Sequence, residues 1–117
     1  MTGPKVLVVD DDSAVRAVAG EMLKRSNYQV TSADSGQAAL DILRDDHFDL
    51  ILLDVGMPGM SGVEAYQQIR QSLPQQKILF MTGYAEDDIT DLANPNTHIL
   101  PKPFSLKLFN DTISAII

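Results

Sequence analysis

Apolar residues first gather at KVLVV, residues 5–9, a short unbroken run rich in valine of the kind a strand covered on both faces requires. Comparable runs recur at YQVTSA (28–33), FDLILL (48–53), KILFM (77–81) and HIL (98–100), so the pattern predicts five strands. Between them the period changes. Val15, Val18, Ala19 and Met22 fall on one helical face, Ala39, Ile42 and Leu43 on a second, and Tyr66, Ile69 and Leu73 on a third. Leu106, Phe109, Ile113, Ile116 and Ile117 mark the last helix, and a shorter one is predicted over about 85–93, ended by NPN. Start signals agree: Asp12 or Ser13 for the first helix, Ser35 for the second, a Ser61–Glu64 capping box for the third and Ser105 for the last.

Strand and helix alternate five times, which predicts an α/β fold: a parallel sheet with helices on both faces and right-handed crossovers. Such sheets bind their ligands outside the C-terminal ends of the strands, where strand order reverses. The residues that follow each run are therefore where chemistry is sought. They are Asp10, Asp11 and Asp12 after the first, Asp54 after the third, Thr82 after the fourth and Lys102 after the fifth.

Composition narrows the chemistry. A length of 117 residues with 44% hydrophobic content predicts a single domain over 1–117. A net charge of −7, from 9 basic and 16 acidic residues, argues against nucleic acid and suits a cation or a basic patch on a partner. There are no cysteines, no apolar run approaches the length of a membrane span, and MTGPK has no signal-peptide pattern. The expected location is the cytoplasm, with no membrane contact by this domain.

Carboxylates packed at one sheet edge repel each other and need a cation to be tolerated. Oxygen donors without His or Cys select a hard ion, so Mg²⁺ is expected. Beside such an ion a carboxylate can act as a nucleophile toward phosphorus, with Lys102 pairing one phosphoryl oxygen and Thr82 hydrogen-bonding another. His47 and His98 are isolated and are read as structural or surface residues, as Tyr84 and the acidic 86–88 turn are read as loop and helix-start positions. GMPGMSG lacks the lysine and spacing of a phosphate-cradling loop, so its glycines are assigned to tight turns.

VLVVDDD, DLILLDVGMPGMSGVE, ILFMTGY and LPKPF, in this order, resemble the motifs of response-regulator receiver domains, the phosphoacceptor modules of two-component signalling. The resemblance covers essentially the whole chain. It implies a flavodoxin-like three-layer sandwich with strand order 2-1-3-4-5. It further implies that Asp54 is phosphorylated, that Asp11 binds Mg²⁺ directly, that Asp10 acts through a metal-bound water, and that Asp54 and the Gly56 carbonyl complete the ligands. Thr82 and Lys102 would bind the phosphoryl group, with the Lys102–Pro103 bond in the cis form, and Asp12 would serve as a helix cap. The implied partner is a histidine kinase or histidine phosphotransfer protein, and the implied state is a monomer or weak dimer. Being consumed as substrate, the domain counts as a signalling phosphoacceptor rather than an enzyme. Several phrases look most like receivers joined to hybrid sensor histidine kinases, so both a stand-alone regulator and a piece of a larger protein fit.

Three positions depart from the family pattern. Gly56, two after the acceptor, offers no side chain to an attacking water, which predicts an altered, lengthened phosphoryl lifetime. Ile99 stands where an aromatic switch residue is usual, and Gly83 where alanine is commoner; with the short fourth helix, this puts the usual output surface in question. Two other readings stay open on sequence grounds. In a haloacid-dehalogenase-like aspartyl phosphatase Asp10 would be the nucleophile and Asp12 the general acid, and a receiver-like interaction module would never turn over phosphate.

Overall fold

The computed structural model describes residues 3–56, 62–82, 95–101 and 105–117, with Thr82 and Pro101 described by their backbone alone. The elements are β1 (Lys5–Val9), α1 (Ser13–Arg25), β2 (Gln29–Ala33), α2 (Gly36–Leu43), β3 (Leu50–Asp54), α3 (Gly62–Ser72), β4 (Ile78–Thr82), β5 (Thr97–Pro101) and α4 (Leu106–Ile116). All neighbouring strands run parallel, in the order β2-β1-β3-β4-β5. The five expected runs are the five strands, with ends moved by one or two residues. The helix expected over about 85–93, the capping residue Ser61, Gly83, Tyr84, the acidic turn at 86–88 and the Lys102–Pro103 bond lie outside the described residues.

Why the strands carry no polar alternation is visible in how they bury. Leu7, Val9, Ile51, Leu53, Ile78 and Phe80 face one layer of core with Ala39, Ala65, Tyr66 and Ile69 of α2 and α3. Val6, Val8, Leu50, Leu52, Leu79 and Met81 face the other, with Ala19 and Leu23 of α1 and Phe109 and Ile113 of α4. Successive residues of β1, β3 and β4 point to opposite layers, both apolar, so their positions short of the C-terminal edge are apolar, whereas the edge strand β2 keeps exposed Gln29 and Ser32.

The helix starts follow their caps. Asp12 accepts from the Ala14 N–H at 2.9 Å, Ser35 from Ala38 at 3.1 Å and Ser105 from Leu108 at 3.0 Å, each satisfying a donor the first turn leaves unpaired. Two helical faces differ from the periodic reading. Val18 is 58% exposed and Leu106 52% exposed, while Ala19, Gly20 and Leu23 are the buried stripe of α1. Ala19 and Gly20 lie on the side of α1 that meets the sheet, where a Cβ at Gly20 would stand in ordinary contact with a Val30 methyl, 3.7 Å away.

Candidate functional site

Reversal of strand order occurs between β1 and β3, since the chain leaves β1 toward β2 on one side and β3 lies on the other. Register pairs Val9 with Leu53, so the next residues, Asp10 and Asp54, come side by side at the sheet's C-terminal edge. The carboxylates of Asp10, Asp11 and Asp54 then offer oxygens that all lie within 4.8 Å of one another. Asp10 is 1% and Asp54 7% exposed, whereas Asp11 faces solvent. Like charges so placed are costly unless compensated, on the order of several kcal/mol per buried ion.

Asp10 is held at several points. Its N–H donates to the Ala33 carbonyl at 3.2 Å, one carboxylate oxygen accepts from the Asp12 N–H at 2.9 Å, and its carbonyl accepts from the Arg16 guanidinium at 2.7 Å. Asp12 does not join the cluster; its carboxylate caps α1, the role the sequence assigned to it. The three neighbouring acids of β1's end thus have three fates: buried at the site, exposed at the site, and turned into the helix.

Asp54 is the last residue of β3 rather than a residue beyond it. Val55 is buried, Gly56 is exposed, and the chain returns at Gly62, whose N–H donates to the Val55 carbonyl at 2.9 Å. A side chain at Gly62 would put its Cβ 2.0 Å from the Asp54 carbonyl oxygen and 2.7 Å from the Val55 Cα. The glycine is therefore there for close approach of α3 to β3, a requirement that the tight-turn reading of GMPGMSG missed. The only signal in the sequence was its place at the start of a helical pattern.

Thr82 ends β4 and pairs with Pro101 of β5; the Thr82 side chain and Lys102 lie outside what is described. Ile99 pairs with Phe80 and packs, half-buried, against the α2–α3 layer. On that layer the Tyr66 hydroxyl meets Thr97 Oγ1 at 2.7 Å, and Arg70 bonds both the Tyr66 oxygen, at 3.2 Å, and Thr97, at 3.0 Å. No motif announced this network. His47 is exposed, and half-buried His98 sits on β5 with its pKa held below the ordinary value by burial and by the charge of Lys77. Among the described residues no helix is long and apolar enough to cross a membrane.

Residues 6–114 match the model of the response regulator receiver domain. Sporulation initiation phosphotransferase F of Bacillus subtilis is 32% identical over 116 residues, 97% of this chain and 93% of that protein. Sensor kinase CckA of Brucella abortus is 36% identical over 116 residues, and there the chain spans only 12% of the relative's length. The solved structure of chemotaxis protein CheY4 from Vibrio cholerae aligns with a TM-score of 0.89 at 30% identity, covering 97% of this chain and 98% of that one. Response regulator TrrA from Thermotoga maritima, solved in complex with Mg(2+)-BeF, aligns at 0.87 with 28% identity, over 98% of this chain and all of that one (100%). An acidic cluster at the switch point of a 2-1-3-4-5 sheet, a family match across nearly every residue and relatives aligned end to end lead to one conclusion: the chain belongs to the response regulator receiver domains, the phosphoacceptor modules of two-component signalling.

Proposed function

We propose that Asp54 accepts the phosphoryl group and that Mg²⁺ is held by Asp11, Asp54 and the Gly56 carbonyl, with Asp10 acting through a bound water. The convergence of Asp10, Asp11 and Asp54 within 4.8 Å carries this reading. The donor set fits the ion: carboxylate oxygens alone suit a hard cation. Mg²⁺ keeps several waters in its shell, so a cluster of this kind would suit two direct carboxylates and a third through water. Asp10 is the natural third, because one of its oxygens is already engaged by the Asp12 N–H. The Thermotoga relative, solved with Mg(2+)-BeF, supports the same ion.

When bound, the ion neutralises the phosphoryl oxygens and the carboxylates around it. An Asp54 carboxylate oxygen forms the new bond to phosphorus as the bond from phosphorus to the imidazole nitrogen of a donor phosphohistidine breaks. Lys102 pairs with one phosphoryl oxygen and Thr82 donates a hydrogen bond to another. The donor is a histidine kinase or a histidine phosphotransfer protein, a reading that the kinase and phosphotransferase relatives support. The domain assists its own phosphorylation and dephosphorylation, and the acyl phosphate biases a two-state equilibrium that partners read. Against a phosphatase, Asp12 would be needed as a general acid, yet its carboxylate is engaged as the cap of α1.

Incubation with Mg²⁺ and a small acyl phosphate, followed by intact mass measurement, tests the assignment. Wild type should gain one phosphoryl group, lose it when the metal is chelated beforehand, and fail to gain it as Asp54→Asn. An adduct lost in Asp10→Asn but kept in Asp54→Asn would point to the phosphatase, and no adduct in wild type to an inert module.

A further inference from the structure

Asp10 lies one residue beyond the end of β1, and its carbonyl accepts a bond from outside the sheet. The donor there is a side chain. Arg16, half-buried in the first turn of α1, donates from Nη1 to the Asp10 carbonyl at 2.7 Å, while its own N–H bonds the Asp12 carbonyl at 3.1 Å in the ordinary helical manner. We propose that Arg16 is a positioning residue for the ion site: by gripping the Asp10 carbonyl it fixes the peptide joining Asp10 to Asp11, and so the aim of both carboxylates.

The reasoning is geometric. The Asp10 carbonyl and the Asp11 N–H belong to one rigid plane, so holding the oxygen sets the rotation of that plane and the direction in which the Asp11 Cα leaves it. Asp10 has further anchors in the Ala33 carbonyl and the Asp12 N–H. Asp11 is exposed, and its Cα is placed by the peptide before it together with the one after it, whose Asp12 N–H is bonded to the Asp10 carboxylate. A charge-assisted bond from a guanidinium is shorter and stronger than a neutral one, which suits a carbonyl that has to stay put while a cation comes and goes. Partners of this kind, one step removed from the metal, tune affinity strongly.

The inference rests on the proposed Mg²⁺ site, and its sign can be decided because two effects of Arg16 oppose each other. As a positive charge beside the cluster, Arg16 repels a dication, so losing the charge alone would tighten binding. As a positioning group, its loss loosens binding. Calorimetric titration of Mg²⁺ into wild type, Arg16→Met and Arg16→Lys separates them, with thermal melts in metal-free buffer defining a temperature at which each variant is folded.

Arg16→Met should bind Mg²⁺ about tenfold more weakly. Arg16→Lys, which keeps a donor able to reach the carbonyl, should recover part of the loss. In labelling with an acyl phosphate, the Mg²⁺ concentration for half-maximal rate should shift by the same factor, while the rate at saturating Mg²⁺ stays within about twofold of wild type. Binding by Arg16→Met as tight as wild type, or tighter, overturns the inference, as does a melting temperature lowered with the Mg²⁺ affinity intact. Wild type taking up no Mg²⁺ would overturn the ion site itself and this inference with it.

Discussion

Replacing Gly62 with alanine sets two physical effects against each other. On helix propensity alone the change stabilises, by up to about 1 kcal/mol in a helix interior and less in a first turn. Packing says the reverse. The added Cβ would stand 2.0 Å from the Asp54 carbonyl oxygen, 2.7 Å from the Val55 Cα and 2.8 Å from the Asp54 carbonyl carbon, all backbone atoms that cannot swing aside. Reaching even 3.0 Å, below which Cβ contacts essentially never occur, requires a retreat of about 1 Å by the start of α3. The same retreat stretches the 2.9 Å bond from the Gly62 N–H to the Val55 carbonyl beyond useful length. Overpacking costs about 1–3 kcal/mol and the lost bond about 1 kcal/mol. Set against the gain in propensity, the net loss is about 2 kcal/mol, or about 8 °C in melting temperature for a chain of this size. Thermal and urea denaturation measure it. A Gly62→Ala protein as stable as wild type would refute the close-approach argument and leave propensity in command.

Gly56→Asn or Gly56→Glu should shorten the life of the acyl phosphate by giving the attacking water a polar partner, read as loss of labelled protein over time; an unchanged rate sinks the idea. Arg70→Met strips donors from the carbonyls of Pro74 and Gln76 and from the buried Tyr66–Thr97 hydroxyl pair, and should cost about 2–3 kcal/mol in urea unfolding. An unfolding midpoint equal to wild type would contradict it. His98 has a folded pKa below its ordinary 6.5, so the unfolded chain takes up the proton first. The stability this contributes is full above that value and is lost as pH falls through it toward the folded pKa. His98→Asn should therefore flatten the fall in stability as pH drops through 6.5, and an equally steep fall would assign the effect elsewhere.

The fold was legible because its signals are local. A parallel strand buried on both sides must be apolar at every position, and Ser35, Ser105 and Asp12 announce their helices by chemistry that acts over two or three residues. The acidic cluster was legible through one global rule, that ligands gather at the C-terminal strand ends. What escaped depends on how elements meet. The α1 face read from the spacing includes Val18, yet Ala19, Gly20 and Leu23 are the buried side and Val18 faces water, a choice made by the packing of the helix on the sheet. Tyr66 finds Thr97 across 31 residues of sequence, and Arg70 reaches the same hydroxyl across 27. Neither leaves a spacing to read. Gly62 looked like turn chemistry because the backbone it must avoid belongs to another element.

Helix α3 is pinned at both ends: Gly62 by contact with the Asp54–Val55 backbone, Arg70 by its bonds to Gln76, Thr97 and Tyr66. The pins are eight positions apart, about 12 Å along the axis. One residue inserted between them would turn Arg70 by about 100° away from its partners while Gly62 stayed in place. The helix is thus a part of fixed gauge. Connections between elements can change length without moving either pin, but between Gly62 and Arg70 a single insertion or deletion breaks one of them.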